Sequence, residues 1–167
     1  MNETGQDNYF RVDASEPTIV DAGFTRINGV NPDRPDHVLK HAQISYLYAI
    51  CPEHIAKPMG IDSESAVLVL ENLPFDIRNY AIQHPEQKQE LIRQLQKIVN
   101  ILKQNHTAHG DLNYNNIRVL IDKEGSPVIK LIDPALLTTE ISQDDLKWVQ
   151  QRDEESLEEL VEFLNGL

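Results

Sequence analysis

A polar loop followed by two short apolar runs, between residues 109 and 133, constrains the fold of this chain more than any other feature. The loop reads His-Gly-Asp-Leu-Asn-Tyr-Asn-Asn over 109–116. The runs 117–121 and 128–132 are rich in β-branched residues, and the turn between them contains Gly, Ser and Pro. This pattern predicts a β-hairpin. Because a hairpin returns the chain to its starting end, we expect Asp133 to lie beside the polar loop.

The predicted hairpin gathers oxygen-bearing side chains that suit a magnesium ion. Asp111 and Asn116 belong to the polar loop, and Asp133 follows the second strand. Mg²⁺ prefers oxygen ligands and keeps several waters, so an Asn, an Asp and ligand phosphates form a plausible octahedral set. No cluster of thiolates or imidazoles in the sequence favours a softer metal. We therefore predict a magnesium site that is formed by Asn116 and Asp133.

Residues 91–164 resemble the C-lobe core of the protein-kinase-like superfamily. The His-Gly-Asp sequence at 109–111, with Asn116 five residues after its Asp, is similar to the family's catalytic loop. The Asp-Pro-Ala sequence at 133–135 is similar to its metal-binding motif. The sequence at 153–157 matches the start of a central helix whose Asp accepts hydrogen bonds from the catalytic-loop backbone in that family. Together these spacings are more specific for the fold than for an activity.

The resemblance implies a fold of the α+β class, a reduced bilobal kinase-like fold in a single domain over 1–167. Residues 1–73 would form a small strand-rich N-lobe with the hinge, and residues 74–167 a truncated helical C-lobe. The segment 136–151 is too short for an ordinary activation loop with its anchor, and we expect no later helical subdomain. This architecture is similar to that of minimal effector kinases that pathogenic bacteria secrete into host cells. Some of those kinases are held active by a host protein.

The activity that the resemblance implies is transfer of the γ-phosphate of ATP to a hydroxyl group, on a protein as the expected substrate. ATP and Mg²⁺ are the implied cofactors. Asp111 would orient or deprotonate the acceptor hydroxyl, while Asn116 and Asp133 would hold the metal. Two alternatives stay open. One is an inactive pseudokinase that binds a protein, and the weaker one is a small-molecule kinase of the aminoglycoside or choline type.

The N-terminal third departs from the kinase pattern. Gly5, Gly23 and Gly29 form no Gly-rich phosphate loop. The family pattern places Arg26 near the position of the phosphate-binding Lys, and Gln43 at the position of the Glu that pairs with it. Arg26 as a phosphate contact and Arg26 as a surface residue of an edge strand are both open interpretations. These departures are what favours the pseudokinase alternative.

The segment 67–73 is similar to the strand that enters the hinge between the lobes of a kinase. In that case Leu70 would lie behind the adenine, and the backbone of Glu71 and Leu73 would bond its edge. A buried edge strand followed by a turn explains the same residues without a ligand.

Periodicity and turn signals predict the remaining elements. A helix over 86–104 has the clearest apolar stripe. A helix over 37–50 follows Asp36 as its N-cap. The other predictions are strands at 9–12, 18–20 and 23–27, a hairpin of 55–61 with 66–71, a short helix around Trp148 capped by Ser142, and a further helix from about 152 to 164.

Composition limits the partners and the compartment. The net charge of −12 argues against nucleic-acid binding and suits a well-solvated surface or a basic protein partner. The single cysteine, Cys51, excludes an internal disulfide and fits a reducing cytosol, where we expect it to be a buried small residue. We expect no signal peptide and no insertion into a membrane. Secretion into a host cell follows only from the resemblance.

Overall fold

The computed structural model describes residues 19–21, 36–62, 67–135 and 141–167. Within them the fold is of the mixed α+β class, with two small antiparallel sheets and α-helices packed around them. The predicted strands at 9–12 and 23–27 lie outside the described residues, as do Arg26 and the glycines at 5, 23 and 29.

The first sheet follows the order β1 (Ile19–Asp21), β3 (Val67–Leu70), β2 (Pro58–Asp62), and all its neighbours are antiparallel. The predicted hairpin of β2 with β3 is confirmed, although both strands are shorter than expected. A register shift falls between Pro58 and Gly60. Gly60 has φ of +151°, a conformation that glycine adopts without the clash that a Cβ would bring.

Helix α1 (Asp36–Ile50) packs against β2 and β3. The helix predicted over 37–50 is therefore confirmed, and it begins at Asp36 itself. Ile44 and Leu47 are fully buried members of its core-facing side. They follow helical spacing, because positions three and four apart share one face of a helix.

The second sheet follows the order β4 (Phe75–Asp76), β5 (Ile117–Ile121), β6 (Pro127–Leu131). Strands β5 and β6 form the predicted hairpin. The second strand begins and ends one residue earlier than expected. The segment after α1 joins this sheet, since the Leu131 N–H donates to His54 O at 2.8 Å and the Ala56 N–H donates to Leu131 O at 2.9 Å. These bonds connect the N-terminal elements to the strand that ends beside Asp133.

Three further helices complete the described fold: α2 (Ile77–Gln83), α3 (Lys88–Gln104) and α4 (Gln143–Gly166). The helix predicted over 86–104 is confirmed, with a 3-10 turn at Pro85–Gln87 before the α-helical part. The apolar stripe of α3 is buried in the main core, through Leu91, Leu95, Ile98 and Leu102. None of the helices in the described ranges has both the length and the apolar character of a bilayer-spanning segment.

The prediction of two separate helices near the C-terminus is wrong, because α4 runs without interruption from Gln143 to Gly166. Neither Gly nor Pro occurs between 143 and 165, so nothing in the backbone chemistry stops the helix near residue 152. The predicted cap is confirmed, since the Asp145 N–H donates to Ser142 Oγ at 3.1 Å. Trp148 is exposed on this helix, and the guanidinium of Arg152 lies 5.0 Å from its ring centroid.

Candidate functional site

The polar loop at 109–116 is held in place by a carboxylate of helix α4. Asp153 Oδ2 accepts from the His109 N–H at 2.6 Å, and its Oδ1 accepts from the Gly110 N–H at 3.0 Å. This contact confirms the one expected for Asp153. The side chain is only 4 % exposed, and burial raises its pKa, against the lowering effects of His109 and of the two N–H donors. The buried carboxylate of Asp153 therefore holds the backbone of the loop in place.

His109 connects the loop to the chain that leaves β6. Its ring is buried, and Nε2 lies 2.8 Å from the carbonyl oxygen of Ile132. Its own carbonyl accepts from the Ala135 N–H at 2.9 Å. Within the described ranges no hydrogen-bond partner faces its Nδ1. These contacts fix the loop against the segment that follows β6.

Asp111 and Asn116 are hydrogen-bonded to each other. The Asn116 side-chain amide donates to Asp111 Oδ2 at 2.8 Å and to the Asp111 carbonyl at 2.8 Å. Asn113, which the sequence did not single out, donates to Asp111 Oδ1 at 3.1 Å. The carboxylate of Asp111 is exposed, whereas Asn116 is buried. The side-chain amides of Asn113 and Asn116 thus orient an accessible carboxylate. Asn116 uses its amide nitrogen for these bonds, and its side-chain oxygen takes no part in them.

Backbone hydrogen bonds bracket Asp133. On one side the Ile132 N–H donates to Asn116 O at 3.0 Å, and on the other the Ala135 N–H donates to His109 O. Asp133 has φ of +52°, in the left-handed region that is costly for a residue with a Cβ. The surrounding bonds hold the residue in this conformation. The hairpin therefore returns the chain to the polar loop, as the sequence predicted.

The residue that contacts the Asp133 carboxylate is Lys40, which the sequence reasoning missed. Its Nζ lies 2.5 Å from Asp133 Oδ1, and the two side chains are 9 % and 15 % exposed. Lys40 belongs to α1 and precedes the buried Ile44 and Leu47 by four and seven residues. This helical spacing places Lys40 on the core-facing side of α1, and it was the signal in the sequence that could have revealed a buried lysine. Gln43, the residue expected to face a cation, is buried, and its Oε1 has no partner among the described residues.

The proposed hinge is buried and already hydrogen-bonded. Leu70 and Leu73 are fully buried. The Glu71 N–H donates to Lys57 O at 3.0 Å, and its carboxylate accepts from the Lys57 N–H at 2.8 Å and pairs with Lys130 at 3.1 Å. The N–H of Glu71 is therefore engaged within the protein. The adenine contacts of the Glu71 and Leu73 backbone stay predictions.

The donor set fits a hard cation better than a soft one. Asn116 and Asp133 supply an amide oxygen and a carboxylate, which suit Mg²⁺. Across the described parts of the chain, no group of three or more His, Cys, Asp or Glu residues is arranged to hold a metal ion. Cys51 is buried as expected, and desolvation raises the pKa of its thiol, so it does not have the character of a nucleophile.

A scan of the sequence against models of known protein families and a search of curated proteins for relatives both find no match. Interpretation of the site therefore depends on its residues and their geometry.

Proposed function

We propose that the chain is a minimal, atypical kinase with a reduced bilobal kinase-like fold, which transfers the γ-phosphate of ATP to a hydroxyl group of a protein. One observation carries this proposal. The polar loop that holds Asp111 and Asn116 is hydrogen-bonded on both sides of Asp133, and Asp153 anchors the same loop. A carboxylate for the acceptor and two oxygen ligands for Mg²⁺ are what phosphoryl transfer requires of a protein.

In this mechanism Asp111 receives the acceptor hydroxyl. Its carboxylate is accessible, and the amides of Asn113 and Asn116 hold both oxygens in a fixed orientation. The carboxylate aligns the hydroxyl oxygen with the γ-phosphorus and takes its proton as the new O–P bond forms, while the bond from that phosphorus to the β-phosphate oxygen breaks and ADP leaves. Such positioning removes most of the entropic cost of the reaction, which asks little covalent chemistry of the protein.

Asn116 and Asp133 would hold the magnesium ion through an amide oxygen and a carboxylate oxygen. A magnesium ion held there would supply positive charge against the negative charge that develops during transfer. Leu70 would lie behind the adenine, with the backbone of Glu71 and Leu73 at its edge. Arg26 is a further proposed phosphate contact.

The proposed setting is a reducing cytosol, in which the single buried Cys51 stays a thiol. The resemblance to secreted effector kinases adds the cytosol of a host cell as a proposed site of action. The net charge of −12 suits a basic protein as substrate or activator.

A pseudokinase that binds a protein is the second candidate. Two observations favour it. The Asp133 carboxylate is already paired with Lys40, and the N–H of Glu71 is already bonded within the chain. To bind a nucleotide, the Asp133 carboxylate would have to hold the metal ion while it stays paired with Lys40. The Glu71 N–H would have to bond the adenine in addition to Lys57 O.

Calorimetry of ATP binding with and without Mg²⁺ separates the two candidates. We expect wild type and Asp111→Ala to bind Mg²⁺·ATP with micromolar affinity, and Asp133→Ala to lose the Mg²⁺-dependent part. Asp144→Ala is the matched control, because Asp144 is an exposed carboxylate on α4. Phosphate transfer to a generic basic protein should be absent in Asp111→Ala and Asp133→Ala. Failure of wild type to bind Mg²⁺·ATP, or equal binding by Asp133→Ala, would overturn the kinase proposal in favour of the pseudokinase.

A further inference from the structure

We infer that Lys40 of helix α1 is the cation that binds the ATP phosphates in this chain. The inference rests on the proposed kinase function and extends it, since it assigns a phosphate-binding role to a residue of helix α1. The residue that the sequence pattern suggested for this role, Arg26, lies outside the described residues.

Lys40 is buried in the folded chain. Only 7 % of the residue is exposed, whereas a lysine without a specific role normally keeps its ammonium in water. Removing an ammonium from water is costly unless a carboxylate compensates it. Asp133 supplies that carboxylate at 2.5 Å. The folded chain therefore holds a positive charge next to the residue proposed to bind Mg²⁺.

The chemistry of the pair leaves room for a phosphate. An ammonium has three N–H donors, and a carboxylate has two oxygens. Lys40 Nζ contacts Oδ1 of Asp133, so the second carboxylate oxygen is the one that a metal ion would take. The other N–H donors of Lys40 would then be available to phosphate oxygens. One carboxylate would thus hold both the lysine cation and a metal ion near a phosphate group.

Gln43 explains why Lys40 stays with Asp133. It lies one turn further along α1, on the same face, and it is also buried. A Glu at this position would offer the ammonium a second carboxylate, because residues three apart on a helix are neighbours. The neutral amide of Gln43 does not compete as a charge, and its Oε1 has no partner within the described parts of the chain. Lys40 is therefore directed to the metal-binding residue.

The strained backbone of Asp133 is consistent with this assignment. Positive φ at a residue with a Cβ costs free energy and is concentrated at functional sites. In this conformation the Asp133 carboxylate meets a helix from the N-terminal part of the chain.

The test compares Lys40→Met and Lys40→Arg with wild type in calorimetric titrations of Mg²⁺·ATP and of adenosine, which has no phosphate. We expect Lys40→Met to weaken Mg²⁺·ATP binding about tenfold to a hundredfold, the usual effect of losing a hydrogen bond to a charged group. Adenosine binding should stay within about twofold of wild type, as expected when only a phosphate contact is lost. Lys40→Arg should recover part of the lost affinity, because it keeps the charge.

The control is Lys103→Met. Lys103 also pairs with a carboxylate at 2.5 Å, that of Glu154, but this pair is exposed and lies on the outer surface of α3 and α4. Thermal melting shows whether each variant is folded, and Lys40→Gln replaces Lys40→Met if the latter unfolds. Equal Mg²⁺·ATP affinity in wild type and the uncharged variant would overturn the role of Lys40 while the kinase proposal stands. Absence of binding by wild type would remove both.

Discussion

Two regions of the molecule meet at the candidate site, and they reach it in different ways. The loop frame, residues 88–135 and 141–167, supplies the polar loop, the hairpin and α4, and it fixes the loop through several bonds to backbone groups. The N-terminal part, residues 36–62, supplies α1, whose Lys40 reaches Asp133 through one long side chain. The frame is therefore positioned before any ligand binds, whereas the contact from α1 is a single ion pair that a ligand can rearrange.

The physical difference lies in what each contact needs to persist. A buried carboxylate that accepts two backbone N–H groups cannot leave without stranding both donors. A lysine ammonium at the end of four methylene groups loses rotamer entropy to stay in one place, and in the proposed kinase it would gain phosphate partners. We therefore expect stability to respond most strongly to changes in the frame, and nucleotide affinity to changes at Lys40.

The largest loss of stability is expected for Asp153→Ala. The substitution leaves the N–H groups of His109 and Gly110 without an acceptor in a buried place, so the free energy of unfolding should fall by about 3 kcal/mol. Urea unfolding measures this change, with Glu159→Ala on the exposed face of α4 as the control. Asp153→Asn keeps one oxygen acceptor and should lose less. A loss below about 0.5 kcal/mol, the usual size for a surface substitution, would show that Asp153 does not anchor the loop.

A smaller loss is expected for Gln94→Ala, which tests how α3 holds the hairpin. The Gln94 amide donates to Pro127 O and accepts from the Ile129 N–H, each at 2.8 Å. Without it, both backbone groups of β6 lose their partner, and the free energy of unfolding should fall by about 2 kcal/mol. Hydrogen exchange of the Ile129 amide should also become faster. Gln96→Ala is the control, because Gln96 is exposed on the same helix. Similar stability of the two variants would contradict this role.

The smallest effect is expected at Glu90, and it depends on pH. Hydrogen bonds from Arg93 and Gln94 lower the pKa of Glu90 to about 2, below its usual value of 4.5. Because the folded pKa is the lower one, this stabilisation is present above pH 4.5 and is lost as the pH falls toward 2. The Glu90 side chain is 41 % exposed, so solvent screening limits the effect to about 0.5 kcal/mol.

The measurement is the free energy of unfolding of wild type and Glu90→Gln between pH 6 and pH 3. Wild type should be the more stable protein at pH 6, and the two should converge as the pH falls. A difference that does not change with pH would mean that the charge of Glu90 contributes nothing.

Local patterns predicted much of the loop frame. The hairpin of β5 with β6 follows from β-branched runs around a turn, and α3 follows from an apolar stripe at helical spacing. Asp153 was found through a family-like pattern, and its contact with the loop is observed. The start of α4 was misplaced because that same pattern suggested a helix beginning near residue 152. Ser142 was recognised as a cap, but the helix it begins continues to Gly166.

The sequence by itself determined that Asp111, Asn116 and Asp133 share one neighbourhood, because a loop and a hairpin are local and their register returns the chain to its start. Only the tertiary structure decided that Lys40 faces Asp133. Helical periodicity tells which side of α1 is buried, but it contains no information about the element that lies opposite. That pairing depends on how the segment after α1 joins β6, a contact between residues far apart in the chain.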